Sequence, residues 1–294
     1  MDQQNAIVSL NGQLVPLSEA SISPLDRGFL FGDGIYEVVR YVQGRPFMLR
    51  EHLNRLQEGL HGLQIRVEKN LLTSLPDLFM SLLEVNKLTT GEATVYLQIT
   101  RGAAFPRSHN HPDPAVNPTV FVYAAPFTPH TALQKSGADA ITVADVRWQR
   151  CNLKTVNLLP NIMARHRAAE EGIYSAVMQR NGFVTESPNA NIFGVKDGRV
   201  FTHPPTHEIL HGITRIAICR FLRELNIPLV EEPIRSRDLY ELDELFFSGT
   251  TTDIQPIVRV DHRSIGQGRP GPITQKVTEK YKEALYAKES TTGQ

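Results

Sequence analysis

The chain has 294 residues, 41% of them hydrophobic and 21% charged, enough to bury a large core in one or two globular domains. Lysine plus arginine and aspartate plus glutamate both number 31, so no net field would draw in nucleic acid or an anionic membrane surface. Cys151 and Cys219 form no spaced motif, and no apolar run approaches the roughly 20 residues of a membrane span. The N-terminus also lacks the basic-then-apolar order of a signal peptide, and together these features predict a cytoplasmic enzyme.

In chain order, Ala6–Leu10 and Gln13–Val15 flank Asn11-Gly12, which predicts a hairpin. A strand over 34–42 turns at Gln43-Gly44-Arg45. Leu53, Leu56, Leu60 and Leu63 fall at helical spacing within 50–65, and 71–85 repeats that periodicity. The β-branched and aromatic runs at 93–100 and 119–124 predict strands. Pro126-Phe-Thr-Pro-His130 breaks the pattern. Beyond it, strands are expected at 140–146, 174–179, 191–195, 229–233 and 245–248, and helices at 160–172, 212–225 and 274–287. The last residues, 289–294, read as a frayed tail. The fold class is therefore α+β in two domains: a smaller one over 1–125, a linker over 126–131, and a larger one over 132–294 that carries Lys154.

Three groups of residues can carry chemistry. In Arg147-Trp-Gln-Arg-Cys-Asn-Leu-Lys154 the cations fall close together, which suits a phosphate or carboxylate ligand, and a lysine desolvated beside cations loses its proton more easily. A phosphate needs hydrogen-bond donors, best supplied by a helix N-terminus and a guanidinium. Leu210-His-Gly-Ile-Thr-Arg215, the Ser248-Gly-Thr-Thr251 loop and Arg55 offer these. Arg107-Ser-His109 places a guanidinium and an imidazole two residues apart, a good carboxylate trap.

In wording and order these segments resemble the fold-type IV pyridoxal-phosphate enzymes, the family of D-amino-acid and branched-chain transaminases. The resemblance spans about residues 5 to 285 and is most specific at 147–159, 182–195 and 96–112. It implies pyridoxal 5'-phosphate as cofactor, with Lys154, before Thr-Val-Asn-Leu-Leu159, as its Schiff-base anchor. It implies Glu186, in Thr-Glu-Ser-Pro-Asn-Ala-Asn191, as partner of the ring nitrogen, with Asn191 orienting the acid or the turn. The phosphate is then expected on Ile213, Thr214, Thr250 and Arg55.

Arg107-Ser-His109 resembles the Arg-x-His loop of bacterial D-amino-acid transaminases, which reaches across a dimer and binds the substrate α-carboxylate together with a tyrosine, here Tyr36. The bond to be broken must stand perpendicular to the ring, so the side on which the carboxylate is held decides which enantiomer reacts. The resemblance thus implies a homodimeric transaminase working by a ping-pong mechanism on D-alanine or D-glutamate with 2-oxoglutarate or pyruvate. The rivals within the fold are a branched-chain L-amino-acid transaminase, an amine transaminase and aminodeoxychorismate lyase. Ser187-Pro188 stiffens the turn after the acid, and His111 has no assigned role.

Overall fold

The computed structural model describes residues 6–287. The expected tail at 289–294 lies outside them. The chain divides into two compact units. The first runs to Thr128 and takes in Leu153–Leu158; the second holds Pro129–Asn152 and resumes at Leu159. Lys154 therefore belongs with the first unit, not with the C-terminal domain as expected from chain order. The reason is local: Leu153 is buried in the first unit's core, and the following residues pair with its sheet.

In the first unit, β1 (Ile7–Leu10), β2 (Gln13–Pro16), β3 (Gly34–Val42), β4 (Arg45–Pro46), β5 (Glu92–Thr100) and β6 (Thr119–Pro126) form one antiparallel sheet in the order β2-β1-β6-β5-β3-β4. Strand alternation sends Ala93, Val95, Leu97 and Ile99 of β5 and Val120, Val122 and Ala124 of β6 to one buried face. The helices α2 (Leu49–Gly62) and α3 (Leu71–Val85) cover that face through Leu56, Leu60, Leu75, Phe79 and Leu82. The opposite face carries Tyr36, Tyr96, Gln98, Phe121 and Tyr123, all half-buried. A short helix that the sequence reading missed, α1 (Arg27–Phe31), is capped by Asp26 and ends on Gly32, whose φ of +69° suits glycine.

The second unit opens with α4 (Thr131–Ser136) and β7 (Ala138–Ala144), then α5 (Leu159–Glu170), β8 (Ser175–Arg180), β9 (Phe183–Val184), β10 (Asn191–Lys196) and β11 (Arg199–Thr202). It continues through α6 (Ile213–Glu224), β12 (Leu229–Val230), β13 (Glu244–Gly249), β14 (Asp253–Val260), β15 (Arg263–Ser264) and α7 (Pro272–Tyr286). Its strands make a mixed nine-stranded sheet, β12-β11-β10-β13-β14-β7-β8-β9, with β15 on β14. The strand expected at 229–233 is only Leu229–Val230. At the centre lies β14, which no periodicity announced because Pro256 interrupts Asp-Ile-Gln-Pro-Ile-Val-Arg-Val. Pairing with β7 begins at Ile257, just past the proline, so on that side the missing N–H costs no ladder bond. Among the described residues no helix is long and apolar enough to cross a membrane, and no group of three or more His, Cys, Asp or Glu is placed to hold a metal.

Candidate active site

In the first unit Lys154 sits on a strap that pairs with β3 through a single antiparallel bridge. Tyr36 N donates to Lys154 O at 3.0 Å, Val156 N donates to Gly34 O at 3.0 Å, and Thr155 lies opposite Ile35. The strand pleat then sends consecutive residues of β3 to opposite faces. Tyr36 shares the face of Lys154, whose Nζ lies 4.1 Å from the ring centroid, and the ring stacks on Tyr96 at 5.8 Å. Glu37 goes the other way and is buried against α2.

There Glu37 meets two polar members of the buried stripe of α2. Arg55 donates from Nε to Oε1 at 2.7 Å and from Nη2 to Oε2 at 2.8 Å, and His52 Nδ1 lies 2.8 Å from Oε2. Against the cost of burial, the guanidinium holds the Glu37 carboxyl well below the usual range, whereas burial pushes the His52 imidazole down towards its neutral form. A neutral His52 donates its Nδ1–H to the carboxylate. Glu37 and His52 were missed in the sequence. Their signal was available: His52, Arg55, Leu56, Gly59 and Leu60 form a single helical stripe, and charged members of a buried stripe demand a partner.

The expected carboxylate trap divides in two. Arg107 lies over the Phe31 ring at 4.5 Å and His109 packs on the same ring at 5.6 Å, while Tyr36 packs on Tyr96 and Lys154. Both trap side chains are exposed. Their loop is clamped by buried Arg27, which donates from Nη1 to Ser108 O at 2.7 Å and to Asn110 O at 3.2 Å, and from Nε to Asp33 at 2.9 Å. Arg101, at the start of the loop, is likewise structural: it donates to Asp33 and to the carbonyls of Leu63 and Gln64. Opposed by burial, Arg101 and Arg27 still hold the Asp33 carboxyl below its ordinary value.

In the second unit Glu186 lies in a tight turn between β9 and β10, closed by Ser187 N donating to Ala190 O at 2.8 Å. Its carboxylate is buried, with Arg147 Nη1 donating to Oε1, and Asn191 Nδ2 and Leu210 N donating to Oε2 at 3.0 and 3.1 Å. Burial outweighs these donors and pushes the Glu186 carboxyl up. Arg147, expected from sequence to face a phosphate or carboxylate ligand, is thus engaged by the chain's own carboxylates. Its Nε and Nη2 hold Asp145 at 2.9 and 2.7 Å. Against the burial penalty, these bonds keep that acid ionised, with its pKa down at about 2.

Asn191 ties the pieces of this unit together. Its Nδ2 also donates to Leu210 O at 2.8 Å, its backbone pairs with Ser248 of β13, and its Oδ1 occupies the space a Cβ at Gly212 would need. Gly212 is the N-cap of α6, with no side-chain cap, and the first residues of the helix, Ile213 and Thr214, are buried. The first-turn amides of such a helix lack intrahelical partners and favour an anion. Thr250 lies in the Gly249–Thr252 turn joining β13 to β14, and the neighbouring Ser248 hydroxyl is buried with no partner among the described residues. A buried carboxylate acceptor, an uncapped helix N-terminus and an unpartnered hydroxyl fit a ligand with a basic ring nitrogen and a phosphate, which are the two ends of pyridoxal phosphate.

Comparisons agree with this chemistry. The family model of amino-transferase class IV matches residues 34–260. The D-alanine aminotransferase of Staphylococcus haemolyticus is 35% identical over 96% of this chain and 99% of its own, and that of Bacillus licheniformis is 35% identical over 97% and 99%. Among solved structures, the Escherichia coli branched-chain amino acid aminotransferase superposes with a TM-score of 0.88 at 26% identity, covering 98% of both chains. The branched-chain aminotransferase of the archaeon Thermoproteus uzoniensis, solved with norvaline, does so with a TM-score of 0.85 at 29% identity, covering 96% of both chains. With the match running through β3, the Lys154 strap, the Glu186 turn and the end of β14, the chain belongs to the class IV aminotransferases, pyridoxal-phosphate-dependent transaminases of fold type IV.

Proposed function

We propose that the chain is a D-amino-acid transaminase, moving the amino group between D-alanine or D-glutamate and 2-oxoglutarate or pyruvate by a ping-pong mechanism. Support comes from the D-alanine aminotransferases that share about a third of its residues across nearly the whole length. The observation that carries the D assignment is the Arg107–His109 pair, exposed on Phe31 and mounted on a loop whose carbonyls Arg27 clamps.

When bound, the cofactor supplies a carbonyl carbon that takes up the amino group and a ring that accepts the electrons left by the broken Cα–H bond. Lys154 Nζ would be the covalent anchor and, as a free amine, the base that takes and returns the Cα proton. Glu186 would accept a hydrogen bond from the ring nitrogen and stabilise its protonated form. The Ile213 and Thr214 amides, the Thr250 hydroxyl and the Arg55 guanidinium are the groups that would hold the phosphate. Tyr36, Arg107 and His109 would hold the α-carboxylate, and Lys154 sits against the Tyr36 ring, 4.1 Å from its centroid.

Because Arg107 and His109 rest on Phe31 while Tyr36 rests on Tyr96 and Lys154, we infer a homodimer in which this loop serves the neighbouring copy. Arg107→Ala should raise the KM for D-alanine by roughly tenfold to a hundredfold, the worth of a charge-assisted hydrogen bond or two. An unchanged KM would overturn the trap. Mixing Arg107→Ala subunits with Lys154→Ala subunits should restore activity, since half of the sites in the hybrid are then intact. Failure to complement in a demonstrated hybrid would remove the shared site.

A second reading, a branched-chain L-amino-acid transaminase, is favoured by the structural likeness to enzymes of that name. Under it Arg107 and His109 are a surface loop, and the Arg107→Ala kinetics with D-alanine and L-leucine separate the two.

A further inference from the structure

Behind Glu186 runs a chain of alternating charges inside the second unit. Arg147 Nη1 donates to Glu186, Arg147 Nε and Nη2 donate to Asp145, and Arg180 Nη2 donates to Asp145 Oδ1 at 3.0 Å and to Arg147 O at 2.9 Å. The side chains of Asp145, Arg147 and Glu186 are 0%, 6% and 6% exposed, so water screens them little. Thr185, next to Glu186, donates its hydroxyl to Asp145 Oδ2 at 2.7 Å and Arg147 N donates to Oδ1 at 3.1 Å, which fix the carboxylate. The other titratable group at this point, the Cys151 thiol, is pushed up by burial and stays neutral.

We propose that Asp145 is a positioning residue for transamination: by engaging two of the three guanidinium nitrogens of Arg147, it limits the positive charge felt by Glu186 and so sets how firmly Glu186 holds the ring-nitrogen proton. This rests on Glu186 being the ring-nitrogen partner. A guanidinium with no second acid would leave Glu186 a weak base, and the ring nitrogen would lose its proton and much of its electron-withdrawing power. With no guanidinium at all, the buried acid would be neutral and could not pair with a ring N–H. The chain holds Glu186 between these extremes. Arg180, 14% exposed, is the outermost member and the weakest influence.

The test is a titration of the Glu186 carboxyl by carbon NMR in the full chain without cofactor, paired with the nitrogen resonance of an isotope-labelled ring in the loaded enzyme. Asp145→Asn should lower the Glu186 midpoint, move the ring nitrogen towards its unprotonated shift, and cut kcat roughly tenfold with the donor KM little changed. Arg147→Gln should raise the midpoint, Arg180→Gln should raise it less, and Arg147→Lys should restore it. A merely structural role predicts lower melting temperatures without opposed shifts. Shifts in the same direction for Asp145→Asn and Arg147→Gln, or none, would overturn the proposal. Should Asp145→Asn fail to fold, Arg180→Gln against Arg147→Lys decides: an unmoved midpoint in Arg180→Gln overturns it. If Glu186→Gln leaves the ring-nitrogen resonance in place, the assignment of Glu186 itself falls.

Discussion

The two units each bury a glutamate beside an arginine, and the two carboxyls are shifted in opposite directions. Glu37 receives two nitrogens of Arg55 and lies against His52, and its carboxyl is held below the usual range. Glu186 receives one nitrogen of Arg147, which spends its other two on Asp145, and its carboxyl is pushed up. Burial is nearly complete in both places, so the difference comes from the partners: Arg55 and His52 both lower Glu37, whereas at Glu186 Asp145 opposes Arg147. A glutamate gripped by two nitrogens of one guanidinium is a structural anchor. A glutamate with a divided one keeps basicity to offer a ligand, as the partner of a ring nitrogen requires.

Four expectations bear on that contrast, in order of size. Glu186→Gln should lower transaminase activity by roughly 10²–10³-fold, typical for loss of a buried charge-stabilising group, while leaving the unfolding free energy little changed. A fall in stability as large as that of the anchor would erase the contrast. Glu37→Ala leaves Arg55 buried without its acid and should destabilise the first unit by about 3–5 kcal/mol in denaturant unfolding, with Glu37→Gln losing less. An unaltered midpoint would mean that Glu37 anchors nothing.

The pH dependence of stability should separate the acids by sign. Glu37 is lowered in the folded state, so its contribution is full above the ordinary glutamate range and is lost as pH falls through the folded value. Glu186 is raised, so between its unfolded and folded values stability declines as pH rises. Glu37→Gln should therefore flatten the acid limb of the stability profile, and Glu186→Gln should steepen it; both variants flattening it would contradict the assignment. Smallest of all, Arg167→Ala removes an exposed pair with Glu171 at 2.8 Å and should cost less than about 0.5 kcal/mol. A larger loss would mean that surface pairs in this chain behave like the buried ones.

The legible parts of the sequence were those whose chemistry is local. Asn11-Gly12 marks the first hairpin, the leucine spacing marks α2 and α3, and the turn at Glu186 keeps its acid and Asn191 five residues apart, where the amide now orients the carboxylate. What stayed hidden depends on contacts between distant residues. Arg147 resembled a ligand-facing cation because neither Asp145 nor Glu186 can be paired with it by spacing alone. Lys154 follows the linker in sequence but packs in the first unit, since Leu153 finds its core there and β3 has an open edge. Phe31, the platform for Arg107 and His109, sits in a helix of five residues, too short for periodicity to reveal. Pro256 hid β14 because the sheet tolerates it only where β7 has not yet begun to pair.

The most direct test of the account is the absorption spectrum of the cofactor-loaded protein, recorded with D-alanine and with L-leucine in separate samples. The account predicts that D-alanine alone converts the band of the Lys154-bound cofactor to that of its aminated form. Conversion by L-leucine alone would contradict it, leaving Arg107 and His109 as a surface loop and the branched-chain reading in its place.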